Sequence, residues 1–352
     1  MEPVWALGFM SGTSLDGVDA AVIRTDGQDV FEFGPSGYAS FEDPSLLREA
    51  LGCWPEMRAD WSDVEQELHG THLRAAQGLS ATVAGFHGQT LAHAPHEQRS
   101  FQLGDGAALA QALGMPVVWD FRTADLKSGG QGAPLAPIYH HALARLGGLA
   151  EPVVFLNIGG VANVTWLDPT QGPEAIRAFD TGPGNALIDD FVKARTGAER
   201  DEAGALAARG QVDQVLLAAW LEDPYFEHMS GSLDRNAFEK VLLDLAGHSV
   251  EDGCASLSAF TVATIARARF EHTPQRWLVA GGGRHNRTLM VGLQQALNQP
   301  VDPVERFGWD GDMLEAQAFA YLAVRVQAGL PTSYPGTTGA RLPVCGGRIS
   351  EP

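Results

Sequence analysis

The chain has 352 residues, above the roughly 250–300 at which a single core stops growing, so two domains or one deeply cleft domain are expected. Hydrophobic residues make up 45% and charged residues 19%, which excludes wholesale disorder. Acidic residues outnumber basic ones by 43 to 24, and a net charge of -19 argues against nucleic acid as a partner. No apolar run reaches the 18 or so residues of a membrane span. The first residues lack the basic segment of a signal peptide. Three scattered cysteines (Cys53, Cys254, Cys345) without CxxC spacing fit a reduced, cytoplasmic compartment.

Short apolar runs alternate with amphipathic stretches, which predicts an α/β chain. Strands are expected at 4–10, 18–24, 83–87 and 117–121, with helices at 44–51, 62–79, 106–113 and 135–146. Further strands are expected at 153–158, 161–166, 176–180 and 277–280. Further helices are expected at 186–195, 212–222, 256–270, 288–297 and 313–328. Asp213 and Asp312 stand at expected helix starts, where a carboxylate meets free N–H groups. One pattern recurs: strand, polar turn, strand over residues 5–24, and again from Phe155 to Thr165 with no shared sequence. Each copy opens one half of the chain. The boundary is expected in Gly129-Gly130-Gln131-Gly132, giving lobes 1–130 and 131–352, with the last residues free to return to the first lobe.

Several chemistries are absent. The three lysines, Lys127, Lys193 and Lys240, follow no GxxxxG, so there is no P-loop. No GxGxxG opens a helix after a strand, and neither DFG nor HRD occurs. Asp16 stands where a nucleophile elbow around Ser14 needs glycine. His140 and His141 are adjacent and cannot share a helix face around zinc, which favours core or surface histidines.

What remains is a set of turns suited to anions. In GFMSGTSLDGVD (residues 8–19), small residues let N–H groups converge on a phosphate. Thr13 and Ser14 add hydroxyls there, and Asp16 offers an oxygen to hydrated Mg²⁺. A plain hairpin loop uses the same residue types, and turn statistics leave the two readings even. Gly159 and Gly160 form a second such turn. AFDTGPGN (residues 178–185) sets Asp180 at a strand end. A carboxylate there takes a proton from an attacking oxygen, or caps the turn through the N–H of Gly182. Asp189 and Asp190 read as a solvated helix face. Gly281, Gly282 and Gly283 follow a buried strand and permit either contact with a flat ligand such as adenine or close helix–strand packing.

GFMSGTSLDGVDA, LNIGGVANVT, AFDTGPGNALID and VAGGGRHN together resemble the anhydro-N-acetylmuramic acid kinase family, of the acetate and sugar kinase/Hsp70/actin superfamily. Further matches are FHGQT with His93 and Pro95, QLGD (102–105), DFR (120–122), GGQGAPL (129–135) and PGTTGAR (335–341), so the likeness spans nearly the whole chain. It implies two ribonuclease-H-like lobes around a central nucleotide cleft, and explains the repeated pattern as two phosphate turns. By resemblance, Gly12, Thr13, Ser14, Leu15, Asp16, Gly17, Val18 and Asp19 hold ATP phosphates, with Asp16 near Mg²⁺. Gly159 and Gly160 form the second phosphate turn, and Gly282 and Gly283 meet the adenosine. Asp180 matches the catalytic aspartate, and Glu315 a glutamate that reaches the sugar from a helix. His87, Gln89, Thr90, Asp120 and Arg122 fall in segments lining the sugar pocket. The implied reaction opens 1,6-anhydro-N-acetylmuramic acid with water and phosphorylates its O6 from ATP, in a cytoplasmic homodimer. Another sugar or carboxylate kinase of the superfamily, or a non-enzymatic nucleotide clamp, is the alternative.

Overall fold

The computed structural model describes residues 1–352 apart from Thr13 and Asn236. Strands run β1 (Val4–Met10), β2 (Gly17–Thr25), β3 (Val30–Ser40), β4 (Val83–Phe86), β5 (Gln89–Ala94), β6 (Arg99–Leu103) and β7 (Val117–Trp119). They continue as β8 (Val153–Ile158), β9 (Val161–Leu167), β10 (Arg177–Pro183), β11 (Arg276–Ala280), β12 (Val301–Pro303) and β13 (Arg348–Ser350). Every strand expected from the apolar runs is present. β3, β5, β6, β12 and β13 are additions. β3 carries Gly34-Pro35-Ser36-Gly37 and lies at the outer edge of its sheet, where a residue without an N–H is tolerated.

The expected helices are also present, with one start misjudged. The helix expected at 256–270 runs Val250–Ala266 because Ser249 caps it, accepting from Asp252 N at 3.1 Å. Asp213 caps Gln214–Trp220 by accepting from the N–H groups of Val215 and Leu216. Asp312 does not cap the helix Leu314–Gln327: its carboxylate takes hydrogen bonds from the Arg284 guanidinium instead, Nη1 to Oδ1 at 2.8 Å. His140 and His141 are both buried. No helix among the described residues is long and apolar enough to cross a membrane.

The chain divides into two units, the first made of Met1–Leu149, Gln171–Ile176 and Met313–Pro352, the second of Ala150–Thr170 and Arg177–Asp312. The division therefore falls after Leu149. Residues 129–132 lie inside the first unit, where Gly130 N donates to Asp125 O at 2.9 Å and Gln131 N to Thr338 O at 2.8 Å. Glycine marks a tight internal turn there, not a linker.

In the first unit the main sheet has the order β13-β7-β4-β1-β2-β3. β1 pairs antiparallel with β2 and parallel with β4, and β4 continues parallel to β7. The second unit has the order β10-β9-β8-β11-β12, with β8 antiparallel to β9 and parallel to β11. Each opening strand thus has an antiparallel meander on one side and parallel strands on the other, which is the ribonuclease-H-like arrangement. The pattern repeat seen in the sequence is this topology used twice.

The helix Leu314–Gln327 lies directly on the first sheet. A Cβ on Gly8 would stand 1.9 Å from Ala316 O, and one on Gly85 would stand 2.0 Å from Phe319 O. Only bare glycine lets strand and helix backbones touch here. In the second unit, Phe226, Phe238, Trp220 and Phe260 form an aromatic cluster against Val250–Ala266. Each such buried ring contributes about 1.5–3 kcal/mol.

Candidate active site

In the first unit β1 and β2 are joined by residues 11–16. Ser11 is 2% exposed and its Oγ has no hydrogen-bond partner. Gly12 O accepts from Leu15 N and from Gln89 Nε2, each at 3.3 Å. Leu15 is buried at φ 57°, a left-handed conformation that costs a branched residue about 1–3 kcal/mol. Ser14 and Asp16 are exposed, and Asp16 Oδ1 accepts from Ser14 Oγ at 2.8 Å and Gly17 N at 3.0 Å. Gly17 and Val18 shape the turn from below: a Cβ on Gly17 would stand 2.4 Å from Ala39 O, and Val18 is fully buried. Asp19 lies on β2 opposite Met10 and Tyr38. A Cβ on Gly12, by contrast, would meet nothing closer than Ser14 Oγ at 3.5 Å and Ser14 N at 3.9 Å. The fold does not need glycine there; close approach by a ligand would. Thr13 lies outside the described residues.

No group of three or more His, Cys, Asp or Glu able to hold a metal occurs among the described residues. The single exposed carboxylate of this turn, Asp16, is the kind of donor that suits a Mg²⁺ ion keeping most of its waters.

Of the residues expected along a sugar pocket, His87 follows β4, Gln89 and Thr90 open β5, and Asp120 and Arg122 follow β7. Arg122 forks onto His87, with Nε and Nη2 at 3.1 and 2.8 Å from Nε2, while Nη1 donates to Gly132 O at 2.5 Å. His87 Nε2 is therefore the acceptor, which requires a neutral ring. Burial first, and then the Arg122 charge, hold His87 well below the usual histidine range. Burial likewise lowers Arg122 to about 10, opposed by Glu315 and Asp125. Glu315 keeps an exposed surface, yet the protein around it pushes its carboxyl up, with Arg122 pulling the other way. Gln89 is fully buried and its Oε1 has no partner. Thr90 Oγ1 accepts from Gln102 Nε2 at 3.2 Å. Asp120, at φ 54°, directly follows β7 and pairs with Arg348 at 3.3 Å.

In the second unit the β8–β9 turn is Gly159-Gly160. Asn185 N donates to Gly159 O at 2.7 Å and Gly184 N to Gly160 O at 3.0 Å, so the AFDTGPGN turn clamps it. Cβ atoms on Gly159 and Gly160 would meet nothing closer than 3.7 and 3.6 Å. The triple glycine splits by role. Gly282 is exposed and a Cβ there would meet nothing closer than Asn185 Nδ2 at 3.7 Å, whereas a Cβ on Gly283 would stand 2.3 Å from Ile158 Cγ2. Packing against Ile158 therefore requires glycine at 283.

Asp180 is 8% exposed, on β10 just before a bulge. It does not cap its own turn through Gly182. Its Oδ2 accepts from Leu233 N at 2.6 Å, its main-chain N donates to Gly231 O at 2.9 Å, and Tyr225 donates to its carbonyl at 2.6 Å. Burial raises its carboxyl to about 7, and the Leu233 N–H works in the opposite direction. A carboxyl so poised serves as a proton acceptor near neutral pH. Asp189 is raised to about 6, first by burial and then by Asp190, while Asp190 pairs with Arg235 at 2.9 Å. Sequence reasoning did not single out Ser11, Tyr225 or Leu233. Ser11 lies in the GFMSGTSLDGVD stretch, where nothing local marks its hydroxyl, and the other two meet Asp180 from the short 3-10 helix Pro224–Glu227 and the loop after it, which carry no motif of their own.

Paired ribonuclease-H-like sheets with glycine turns at their strand ends are the architecture of sugar-kinase-type phosphotransferases. The sequence matches the anhydro-N-acetylmuramic acid kinase family over residues 4–351, and the chain belongs to that family. It is a kinase with an alcohol group as acceptor. A relative named anhydro-N-acetylmuramic acid kinase from Cereibacter sphaeroides is 52% identical, covering 99% of this chain and 96% of its own. Relatives of the same name from Ruegeria sp. (strain TM1040) and Rhodospirillum rubrum are each 50% identical, covering 99% and 98% of this chain and 96% and 93% of their own. Among solved structures, a ROK family glucokinase from Streptomyces griseus aligns over 91% of this chain and 99% of its own, at 15% identity and TM-score 0.45. The strand orders carry the fold class without it.

Proposed function

We propose that this chain opens 1,6-anhydro-N-acetylmuramic acid with water and transfers the γ-phosphoryl group of ATP to O6, giving N-acetylmuramic acid 6-phosphate and ADP, a step of cell-wall recycling. The name shared by its relatives supports the substrate. The observation that carries the chemistry is Asp180, a buried carboxyl inside β10 at its bulge, three residues short of the strand end at Pro183, with its pKa raised to about 7.

Water attacking the anomeric carbon must lose a proton as the C–O bond forms. Asp180 accepts it. The bridge breaks, and O6, no longer tied to C1, attacks the γ-phosphorus. Glu315 and Arg122 orient the sugar, with His87, Gln89, Thr90 and Asp120 along the same pocket. Gln89 Oε1 and Ser11 Oγ, buried without partners, are suited to ligand groups. Residues 12–19, at the turn and the start of β2, with Gly159 and Gly160, hold the phosphates, and Gly282 and Gly283 face the adenosine. Mg²⁺, held by Asp16 and the phosphates, supplies charge neutralisation when bound. Otherwise phosphoryl transfer needs mostly positioning. The family resemblance also supports a homodimer and a cytoplasmic location.

The test is product mass after incubation with ATP, Mg²⁺ and the anhydro sugar in ¹⁸O-water. Label at C1 and none in the phosphate is expected. Label in the phosphate means simple ATP hydrolysis and overturns the reading. Turnover confined to a sugar with a free 6-hydroxyl favours a plain sugar kinase.

A further inference from the structure

Two glycine-containing segments, GGQG at 129–132 and PGTTGAR at 335–341, have no part in the mechanism above. They meet at Asp125, on the short helix Thr123–Lys127 and 1% exposed. Its Oδ2 accepts from Gly132 N at 2.7 Å. Its Oδ1 accepts from Thr338 Oγ1 at 2.6 Å and from Ser333 Oγ. A Cβ on Gly130 would stand 2.2 Å from Oδ2, so the turn must be bare to close around the carboxylate. The donors are hydroxyls and a main-chain N–H. Such an arrangement holds a loop in place, with no cation among its direct donors.

The consequence lies at the other end of the Gly132 residue. Its N–H is held by Asp125 and its carbonyl holds Arg122 Nη1 at 2.5 Å, while the rest of that guanidinium rests on His87. A guanidinium with five donors in a fixed fork is aimed by whatever accepts from it. We propose that Asp125 is a positioning residue for Arg122, fixing the Gly132 carbonyl that aims the guanidinium at the sugar. The proposal rests on the reading of Arg122 as a sugar-side residue.

A double-mutant cycle tests it, with binding of the anhydro sugar and of ATP measured separately by calorimetry. Asp125→Ala is expected to weaken sugar binding about 10-fold or more, the scale of one charge-assisted hydrogen bond, with ATP binding within about 2-fold of wild type. Adding Asp125→Ala to Arg122→Ala is expected to cost little further, because both remove one interaction. Asp125→Asn is expected to restore sugar affinity to within a few-fold, since its amide oxygen accepts from Gly132 N and the two hydroxyls can turn to accept from its NH₂.

Additive losses in the cycle, or equal losses of sugar and ATP binding, would leave Asp125 a purely structural residue and overturn the proposal. A folded Asp125→Asn protein that fails to bind sugar overturns it as well, even if the alanine variant does not fold. Arg122→Ala with unchanged sugar binding overturns the assignment of Arg122 itself, and the proposal with it.

Discussion

The N–H of Leu233 meets Oδ2 of Asp180 at 2.6 Å, 53 residues along the chain, and so holds one oxygen of a carboxyl that burial has raised to about 7. A base with this pKa is half protonated at neutral pH. kcat/KM is therefore expected to rise with pH and level off above about 7 if Asp180 must be ionised. Asp180→Asn should lower kcat by about 10²–10⁴ and abolish that limb, leaving ATP affinity intact. Near wild-type ring opening in the Asn variant would show that Asp180 only ties its loop together.

The same group makes a prediction about stability. Its folded pKa lies above the ordinary aspartate value, so between roughly pH 4 and 7 the native state binds more protons than the unfolded chain. Its ionisation therefore erodes stability as pH rises through that window, and the cost is fully present above it. Asp180→Asn removes the cost, and should stabilise the protein by about 1–3 kcal/mol at pH 8 while changing little at pH 4. Thermal melts at the two pH values check this, and a variant no more stable at pH 8 than wild type contradicts it.

Gly282 and Gly283 are adjacent but differ in what surrounds them. Gly283→Ala drives a methyl into Ile158 and should lower stability by about 1–3 kcal/mol. Gly282→Ala should melt within about 0.5 kcal/mol of wild type yet bind ATP more weakly. Gly12→Val, at a position with room for a side chain in this structure, should likewise fold and lose ATP. Unchanged nucleotide affinity in both folded variants would remove these turns from the binding site.

Ser11 Oγ, buried with no partner, costs the protein free energy without ligand. Ser11→Ala is expected to raise Tm slightly in the ligand-free protein and to lower kcat/KM about 10-fold. If Tm falls and turnover is unchanged, the hydroxyl serves the fold and not the ligand.

Chelation separates a metal that travels with nucleotide from one built into the fold. Excess EDTA should stop turnover and leave the melting curve in place, since no cluster of ligands holds an ion among the described residues. A fall in Tm on chelation would point to a resident ion.

Much of this was legible from residues alone, and the gaps have physical causes. β1, β8 and the helix Gly106–Leu113 match their expected bounds because their apolar runs are unbroken and their ends clearly marked. β3 was missed because Gly34 and Pro35 interrupt an exposed edge strand. The boundary was misplaced because the 129–132 turn is buttressed by Thr338, a partner that local reasoning cannot see. Asp180, Glu315 and Arg122 were named through motifs, but what aims them was not. Tyr225 and Leu233 approach Asp180 from 45 and 53 residues away, and no local pattern announces them.

The helix Leu314–Gln327 covers Gly8 and Gly85 by backbone contact, and it belongs to the final stretch of the first unit. During synthesis the ribosome delivers β1, β4 and the whole second unit before this helix exists. Until then the sheet presents a groove of bare glycines with nothing lying in it, and Glu315 has not been made. The first unit thus cannot mature as an N-terminal fragment. A stop codon before Met313 would yield a protein with an intact second unit and an uncovered first sheet, suited to capture by chaperones rather than to catalysis.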